Sequence, residues 1–204
     1  HIIVANKQAG LLSVSTDKME PDTLHSRVVD YLKSENEKSW AFIVHRLDRE
    51  TSGVMVFAKH KRHKEYLQEQ FANRDVHRVY HALVEGKPDK ENGTVREWLL
   101  EDKFLKVKAV KKNHPKAKEA ITHYNIVDFD EFASLIQLTI ETGRRHQIRV
   151  GLANLGCPVV GDEAHGAEGN PIGRIALHAS SLEFLHPETD DPVRFEAPIP
   201  FGPE

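Results

Sequence analysis

The stretch Ala41-Phe42-Ile43-Val44-His45-Arg46-Leu47-Asp48-Arg49-Glu50-Thr51-Ser52-Gly53-Val54-Met55-Val56-Phe57-Ala58 decides how this chain is read. Its flanks, residues 41–44 and 54–58, are short apolar runs rich in β-branched and aromatic side chains, the pattern of buried strands. Between them hangs a polar loop, the usual setting for a reactive group on a rigid scaffold. Asp48 is the loop's one short carboxylate, with Arg46 and Arg49 on either side. A carboxylate with cationic neighbours stays ionised, and an ionised Asp serves as nucleophile, base or electrostatic stabiliser. The plainer alternative is a turn residue whose side chain caps the backbone at Thr51 or Ser52.

Outward from that loop, residues 1–16 read as a strand, a turn at Gln8-Ala9-Gly10 and a second short strand. Residues 23–36 suit a helix, because Leu24, Val28, Tyr31 and Leu32 recur at helical spacing behind a cap at Asp22 or Thr23. A second helix is expected over 61–73, with Tyr66, Leu67 and Phe71 on one face. Strands follow over 79–84, 95–100, 105–110, 120–127 and 134–140, each bounded by turn-formers or charges. His146 to Leu155 reads as a strand end running into a helix that Gly156 and Pro158 terminate. A long strand is expected over 175–185, then an extended tail at 197–200. Strands dominate and most connections have hairpin length. The expected class is therefore α+β: a mixed, largely antiparallel sheet with a few flanking helices and a central active-site cleft.

With 204 residues, 39% of them hydrophobic, the chain can bury a substantial core. One domain over 1–204 is expected, with room for two lobes. No run approaches the ~20 apolar residues of a membrane span, and no signal peptide opens the chain. Because the first residue is His1, inside an apparent strand, an upstream segment is expected to be missing. The single Cys157 fits a reducing cytoplasm and excludes an intrachain disulfide framework. The expectation is a monomeric, cytoplasmic protein with no membrane partner. Net charge is −3, but its distribution is uneven. Residues 103–118 hold seven lysines and no carboxylate, residues 59–64 form a second cationic run, and Arg144, Arg145 and Arg149 a third. Each alone is a solvated face; three together point to a polyanionic partner.

Two further pieces carry chemistry. In Arg78-Val79-Tyr80-His81-Ala82-Leu83-Val84, Tyr80 faces away from Val79 and His81 and offers a flat ring and a hydroxyl to a cleft, or else fills a core. In Thr142-Gly143-Arg144-Arg145-His146-Gln147-Ile148-Arg149, large polar donors crowd beside a glycine just after an apolar strand. Strand periodicity would send Arg145, Gln147 and Arg149 to one side and Arg144, His146 and Ile148 to the other. One arginine there could neutralise a buried carboxylate and others hold phosphates.

Taken together, these motifs resemble the RNA pseudouridine synthases of the RluA type. The match is carried by His45-Arg46-Leu47-Asp48-x-x-Thr51-Ser52-Gly53, the Tyr80 strand and Gly143-Arg144-x-His146-Gln147-Ile148-Arg149-Val150. It continues through Asn6-Lys7-x-x-Gly10-Leu11, Gly156-x-Pro158-x-x-Gly161-Asp162, Leu177-His178-Ala179, His186-Pro187 and Phe195-x-Ala197-Pro198. The chain departs from the family at Gln8 (usually Pro), Gly151 (commonly His) and near His165 (often Tyr). The resemblance implies a pseudouridine synthase catalytic fold that isomerises uridine in ribosomal or transfer RNA, without cofactor or metal. It makes Asp48 the essential carboxylate, places Tyr80 against the target base, and pairs Arg149 with Asp48. It assigns substrate binding to Arg46, Leu47, Thr51, Arg144, His146 and Gln147, with Leu177 lining the base pocket.

Other classes fit less well. Thirteen histidines invite a metal site, yet neither His60/His63 nor His77/His81 comes with a carboxylate or a recognised ligand pattern. A glycosidase needs a second carboxylate, and only Glu50 is near. A non-catalytic RNA-binding module would keep the basic runs but has no use for Asp48.

Overall fold

The computed structural model describes residues 1–203, which gather into two compact units: 1–78 with 179–198, and 79–178 with the residues from 199 on. Every strand pairing whose register follows is antiparallel, and helices are few, so the chain is α+β as expected.

In the first unit, β1 (Ile2–Lys7) and β2 (Phe42–Ile43) both pair with β3 (Ser52–Ala58). Every residue of β3 is buried, which accounts for its nearly continuous apolar sequence. Helix α1 (Leu24–Glu35) buries Leu24, Val28, Val29 and Leu32. Its start is set by a capping box in which Thr23 accepts from the Ser26 amide and the Ser26 hydroxyl oxygen accepts from the Thr23 amide. Helix α2 (Lys61–Ala72) buries Leu67 and Gln70. The Gln70 amide bonds both the carbonyl and the N–H of Leu185, which ends β9 (Leu177–Leu185). From Ala179 onward β9 belongs to this unit, where β10 (Pro192–Glu196) pairs with it. Val44, Val54, Val56, Leu67, Leu182 and Phe184 form the core.

In the second unit, β4 (His77–Glu85, from Val79 onward) pairs with β8 (Ala133–Ile140), which pairs with β7 (Lys118–Phe129). β7 in turn pairs with β5 (Asn92–Glu101), whose far end forms a hairpin with β6 (Val107–Val110). Helix α3 (Gln147–Asn154) buries Ile148 and Leu152 against Val84, Ile136 and Leu138. No helix among the described residues is long and apolar enough to cross a membrane.

Two expectations are corrected and one strand is added. Residues 11–16 form no second strand; this loop is held from within, its Leu12 and Ser13 carbonyls accepting from the amides of Leu24 and His25. β10 was not anticipated, because it starts at a proline and follows a polar run, features that demote a strand to an edge. Gln147 to Arg149 is helical rather than a strand end, so residues 145, 147 and 149 do not share a face.

Gly53 has φ +124, and a Cβ there would lie 2.1 Å from the carbonyl oxygen of Ala179. Only glycine allows β3 and β9 to approach this closely just after the Asp48 loop. Gly53→Ala is therefore expected to cost about 3 kcal/mol or more in urea unfolding; a loss below about 0.5 kcal/mol would contradict this packing.

Candidate active site

The Asp48 loop is fixed from below by two side chains. Lys7, 1% exposed at the end of β1, donates from Nζ to the carbonyls of Leu11 (2.6 Å), Arg49 (2.9 Å) and Gln8 (3.0 Å). Buried Ser13 donates to the Leu47 carbonyl at 2.6 Å and accepts from the Leu47 amide at 3.0 Å. The loop closes on itself through Thr51 N–H to the Asp48 carbonyl, 3.1 Å, and the Gly10 amide adds a bond to the Arg49 carbonyl. Leu47 and Thr51 are buried, Asp48 is half-buried, and Arg46 is exposed. The backbone on either side of Asp48 is thus anchored while its carboxylate keeps access to solvent.

The flanking arginines behave differently from expectation. Among the described residues, neither Arg46 nor Arg49 forms an ion pair with Asp48. Both are exposed, and adjacency along an open loop does not aim a long side chain at its neighbour. At the loop's start, His45 accepts from the Val56 amide through Nε2 at 3.1 Å and stacks on Phe71. Burial, reinforced by the charge of Arg78, pushes its pKa down to about 3. His45 is consequently a neutral structural ring that ties the loop to β3.

In the second unit Tyr80 lies on β4 opposite Leu138 of β8, half-buried at the margin of the apolar core. Leu177 is buried in that same core, and Arg174 donates to its carbonyl at 2.9 Å. Arg149, on the first turns of α3, donates from Nε and Nη2 to the two carboxylate oxygens of Asp162 at 2.8 and 2.7 Å. The pair is sealed, with side-chain exposures of 6% and 0%. Its third nitrogen, Nη1, lies 3.1 Å from Nε2 of His146, the residue before α3, held at φ +56. Because a guanidinium only donates, this His146 nitrogen accepts. His165 Nε2 stands 3.4 Å from the other His146 nitrogen, and burial lowers the His165 pKa.

The structure corrects the partner assigned to Arg149. The family resemblance pairs it with Asp48, whereas Nε and Nη2 serve Asp162. Asp162 was noticed only as part of a Gly161-Asp162 motif; its signal is Gly161, where φ is +85 and a Cβ would strike the Arg174 carbonyl at 2.1 Å. Gln147 is also reassigned. Its amide oxygen accepts from Thr142 Oγ1 and the Arg144 amide, and its nitrogen donates to Ile121 O and Thr122 Oγ1. Wholly used inside the protein, Gln147 positions the 142–145 loop rather than meeting substrate. Arg144 is anchored through Nε to the Glu119 carbonyl at 2.8 Å. Lys7 is visible in the sequence only as part of the Asn6-Lys7 motif and Ser13 not at all, since nothing in a strand or a short polar turn marks a buried anchor. Among the described residues, no three His, Cys, Asp or Glu side chains are arranged to hold a metal ion.

One unit therefore offers a carboxylate on an anchored backbone, and the other an aromatic hydroxyl, an anchored arginine and a buried Arg–Asp pair. A model of the RNA pseudouridylate synthase family matches residues 1–154. The chain belongs to that family. Relatives place it with the RluA type. It is 36% identical over 207 residues to the dual-specificity RNA pseudouridine synthase RluA of Vibrio cholerae, covering 100% of this chain and 82% of the relative. It is 35% identical over 202 residues to the uncharacterized RNA pseudouridine synthase YhcT of Bacillus subtilis, 98% of this chain and 66% of that one. Identity to the ribosomal large subunit pseudouridine synthase D of Xanthomonas campestris is 36% over 215 residues, 98% of this chain and 64% of the relative. The chain thus spans about two thirds of the length of several curated relatives. The solved structure of human RNA pseudouridylate synthase domain containing 4 shares the fold, with TM-score 0.81 and 24% identity over 98% of this chain and 85% of that one.

Two expectations follow from the site. Asp162→Asn leaves the Arg149 charge buried without its counterion and should lower stability by about 3–5 kcal/mol in denaturant unfolding; a change under about 1 kcal/mol would show the pair to be incidental. His45 stays neutral when folded down to about pH 3, while the unfolded chain protonates it below about 6.5. The unfolded state then binds the extra proton, so stability falls on acidification between those limits by up to about 1.4 kcal/mol per pH unit. His45→Gln should flatten that slope in unfolding curves taken from pH 7 to 4, and an unaltered slope would contradict the assignment.

Proposed function

We propose that this chain converts uridine in a structured RNA to pseudouridine, with 1–204 acting as one catalytic domain of a cytoplasmic monomer that uses no cofactor. The observation that carries this reading is the Asp48 loop: a half-buried carboxylate on a backbone anchored by Lys7 and Ser13, within a chain of the pseudouridylate synthase family. A non-catalytic RNA-binding module has no reason to place a carboxylate on so firmly anchored a backbone.

The chemistry assigns each group a task. Asp48 attacks the ribose C1′ or promotes departure of the uracil from it, breaking the N1–C1′ bond. The freed uracil turns and bonds to C1′ through C5, and any bond that Asp48 has made to C1′ breaks in the same step, restoring the carboxylate. The proton on C5 is then removed, with Tyr80 as base, and N1 acquires a proton. Arg149, paired with Asp162 and bonded to His146, ties the first turn of α3 to the Asp162 segment. Leu177 gives the base an apolar wall, while Arg46, Arg144 and the lysine-rich surfaces meet phosphates. Reaching the base requires extruding it from the RNA at a cost of a few kcal/mol, offset by stacking and phosphate contacts. Ribosomal or transfer RNA is the substrate class we propose.

Formation of the C5–C1′ bond releases the hydrogen on C5, so RNA labelled with tritium at uridine C5 reports turnover directly. Wild-type protein should release tritium from ribosomal or transfer RNA transcripts. Asp48→Asn should reduce release at least a thousandfold, about 4 kcal/mol of barrier, while binding the same RNA within about twofold. Turnover by Asp48→Asn near the wild-type rate would overturn the assignment; RNA binding without turnover by the wild type would favour the non-catalytic module.

A further inference from the structure

The second unit holds a basic cavity that takes no part in the bond-making and bond-breaking steps proposed above. It has a volume of about 330 Å³ and lies beside the closed end of the β5–β6 hairpin. Leu99 and Val107 form its floor, and Lys116, Lys118, Arg144 and Arg145 stand around it. The floor is rigid: Leu99 and Val107 pack with Ala120 and with Val150 of α3, next to Arg149. Four cations face one carboxylate, Glu101, which approaches Arg145 only to 3.8 Å. Arg144 is held by its Nε, and its two terminal nitrogens make no hydrogen bond or ion pair among the described residues. A preorganised guanidinium beside two exposed ammonium groups is the recognition chemistry of a phosphate.

Directly beyond this cavity the hairpin closes through a tight turn. Asp102 Oδ1 accepts from the amides of Phe104 (2.8 Å) and Lys106 (3.0 Å), and Leu105 sits at φ +62. The turn holds Phe104 outward with 71% of its surface exposed, and Lys103 lies 5.1 Å from its ring. An exposed phenylalanine on a braced turn has no part in a core, but it can stack on an unpaired base. Phe104 is three positions beyond Glu101, no more than about 10 Å of chain, a span of a few nucleotides.

We infer that the cavity and the Phe104 turn form an accessory subsite for single-stranded RNA. The cavity takes a backbone phosphate and Phe104 stacks on an unpaired base a few nucleotides away. The inference rests on the RNA-modifying reading above and adds where the strand beyond the target is gripped.

The test is equilibrium binding of a fluorescein-labelled 12-nucleotide single-stranded RNA containing one 2-aminopurine, by anisotropy and base fluorescence over a salt series. Lys116→Gln/Lys118→Gln should weaken binding about tenfold and lower the slope of log K against log salt by about 0.7, the value for one phosphate that is no longer neutralised. Phe104→Ala should weaken binding about tenfold and abolish quenching of the 2-aminopurine. Lys18→Gln/Lys38→Gln, on the other unit, controls for net charge and should change neither readout. All four lysines and Phe104 are exposed or half-buried at the surface, so melting curves should coincide. The inference is overturned if the wild type does not bind this RNA, if the cavity variant matches the control, or if a 12-residue oligoglutamate competes as well as the RNA, which would indicate an acidic protein partner. Tritium release with binding indifferent to these changes would sink this inference alone; loss of binding in the variants of a protein that releases no tritium would sink the catalytic reading alone.

Discussion

The ammonium of Lys7 sits beneath the Asp48 loop with its three donors on three carbonyls, and the geometry of the loop depends on it. Removing a charged ammonium from water costs several kcal/mol, so it is buried only where good acceptors replace the solvent. Leu11, Gln8 and Arg49 supply them, and hydrogen bonds to a charged donor contribute about 1.5–3 kcal/mol each. The consequence reaches along the chain: one side chain joins the turn after β1 to the backbone beside Asp48, while Ser13 clamps Leu47. The backbone that carries the carboxylate does not have to be ordered when substrate arrives, and that preorganisation lowers a barrier.

The second unit solves a related problem with opposite charges. Arg149 faces Asp162 through a bidentate pair with no exposure on the acid, so its direction is set by the strongest side-chain geometry available. Gln147, at the start of the same helix, spends all its hydrogen-bonding capacity on the Thr142–Arg144 loop and on β7. Buried polar groups satisfied in this way rigidify their surroundings. The crowd of polar residues that draws attention in the sequence therefore divides. Gln147 is scaffold, Arg149 is an anchored charge, and Arg144 and Arg145 remain on the rim of the basic cavity.

Much of this is legible in the amino-acid order alone. Buried strand β3, the α1 cap and the sheet strands follow from apolar periodicity and turn residues, because those signals record burial directly. What stays hidden depends on contacts distant in sequence. Asp162 is thirteen residues from Arg149, and no pattern of spacing says which carboxylate a guanidinium will choose. Lys7 looks like the polar end of a strand, and its burial follows only from the fold around it. β10 escapes because an edge strand opened by proline carries little hydrophobic signal. The segment at 146–149 misleads for a local reason: a few residues of mixed polarity fit a strand's alternation as readily as a short helix, and tertiary packing decides in favour of the helix.

The central claim is that the carboxylate of residue 48, held on its anchored loop, acts on the sugar of an extruded uridine. A crystal structure of the protein bound to its RNA substrate tests it most directly. The account predicts a uridine lifted out of its stack, its ribose C1′ within van der Waals reach of the Asp48 carboxylate and its base against Tyr80. An RNA bound with every uridine stacked, or with Asp48 turned away from the sugar, would contradict it.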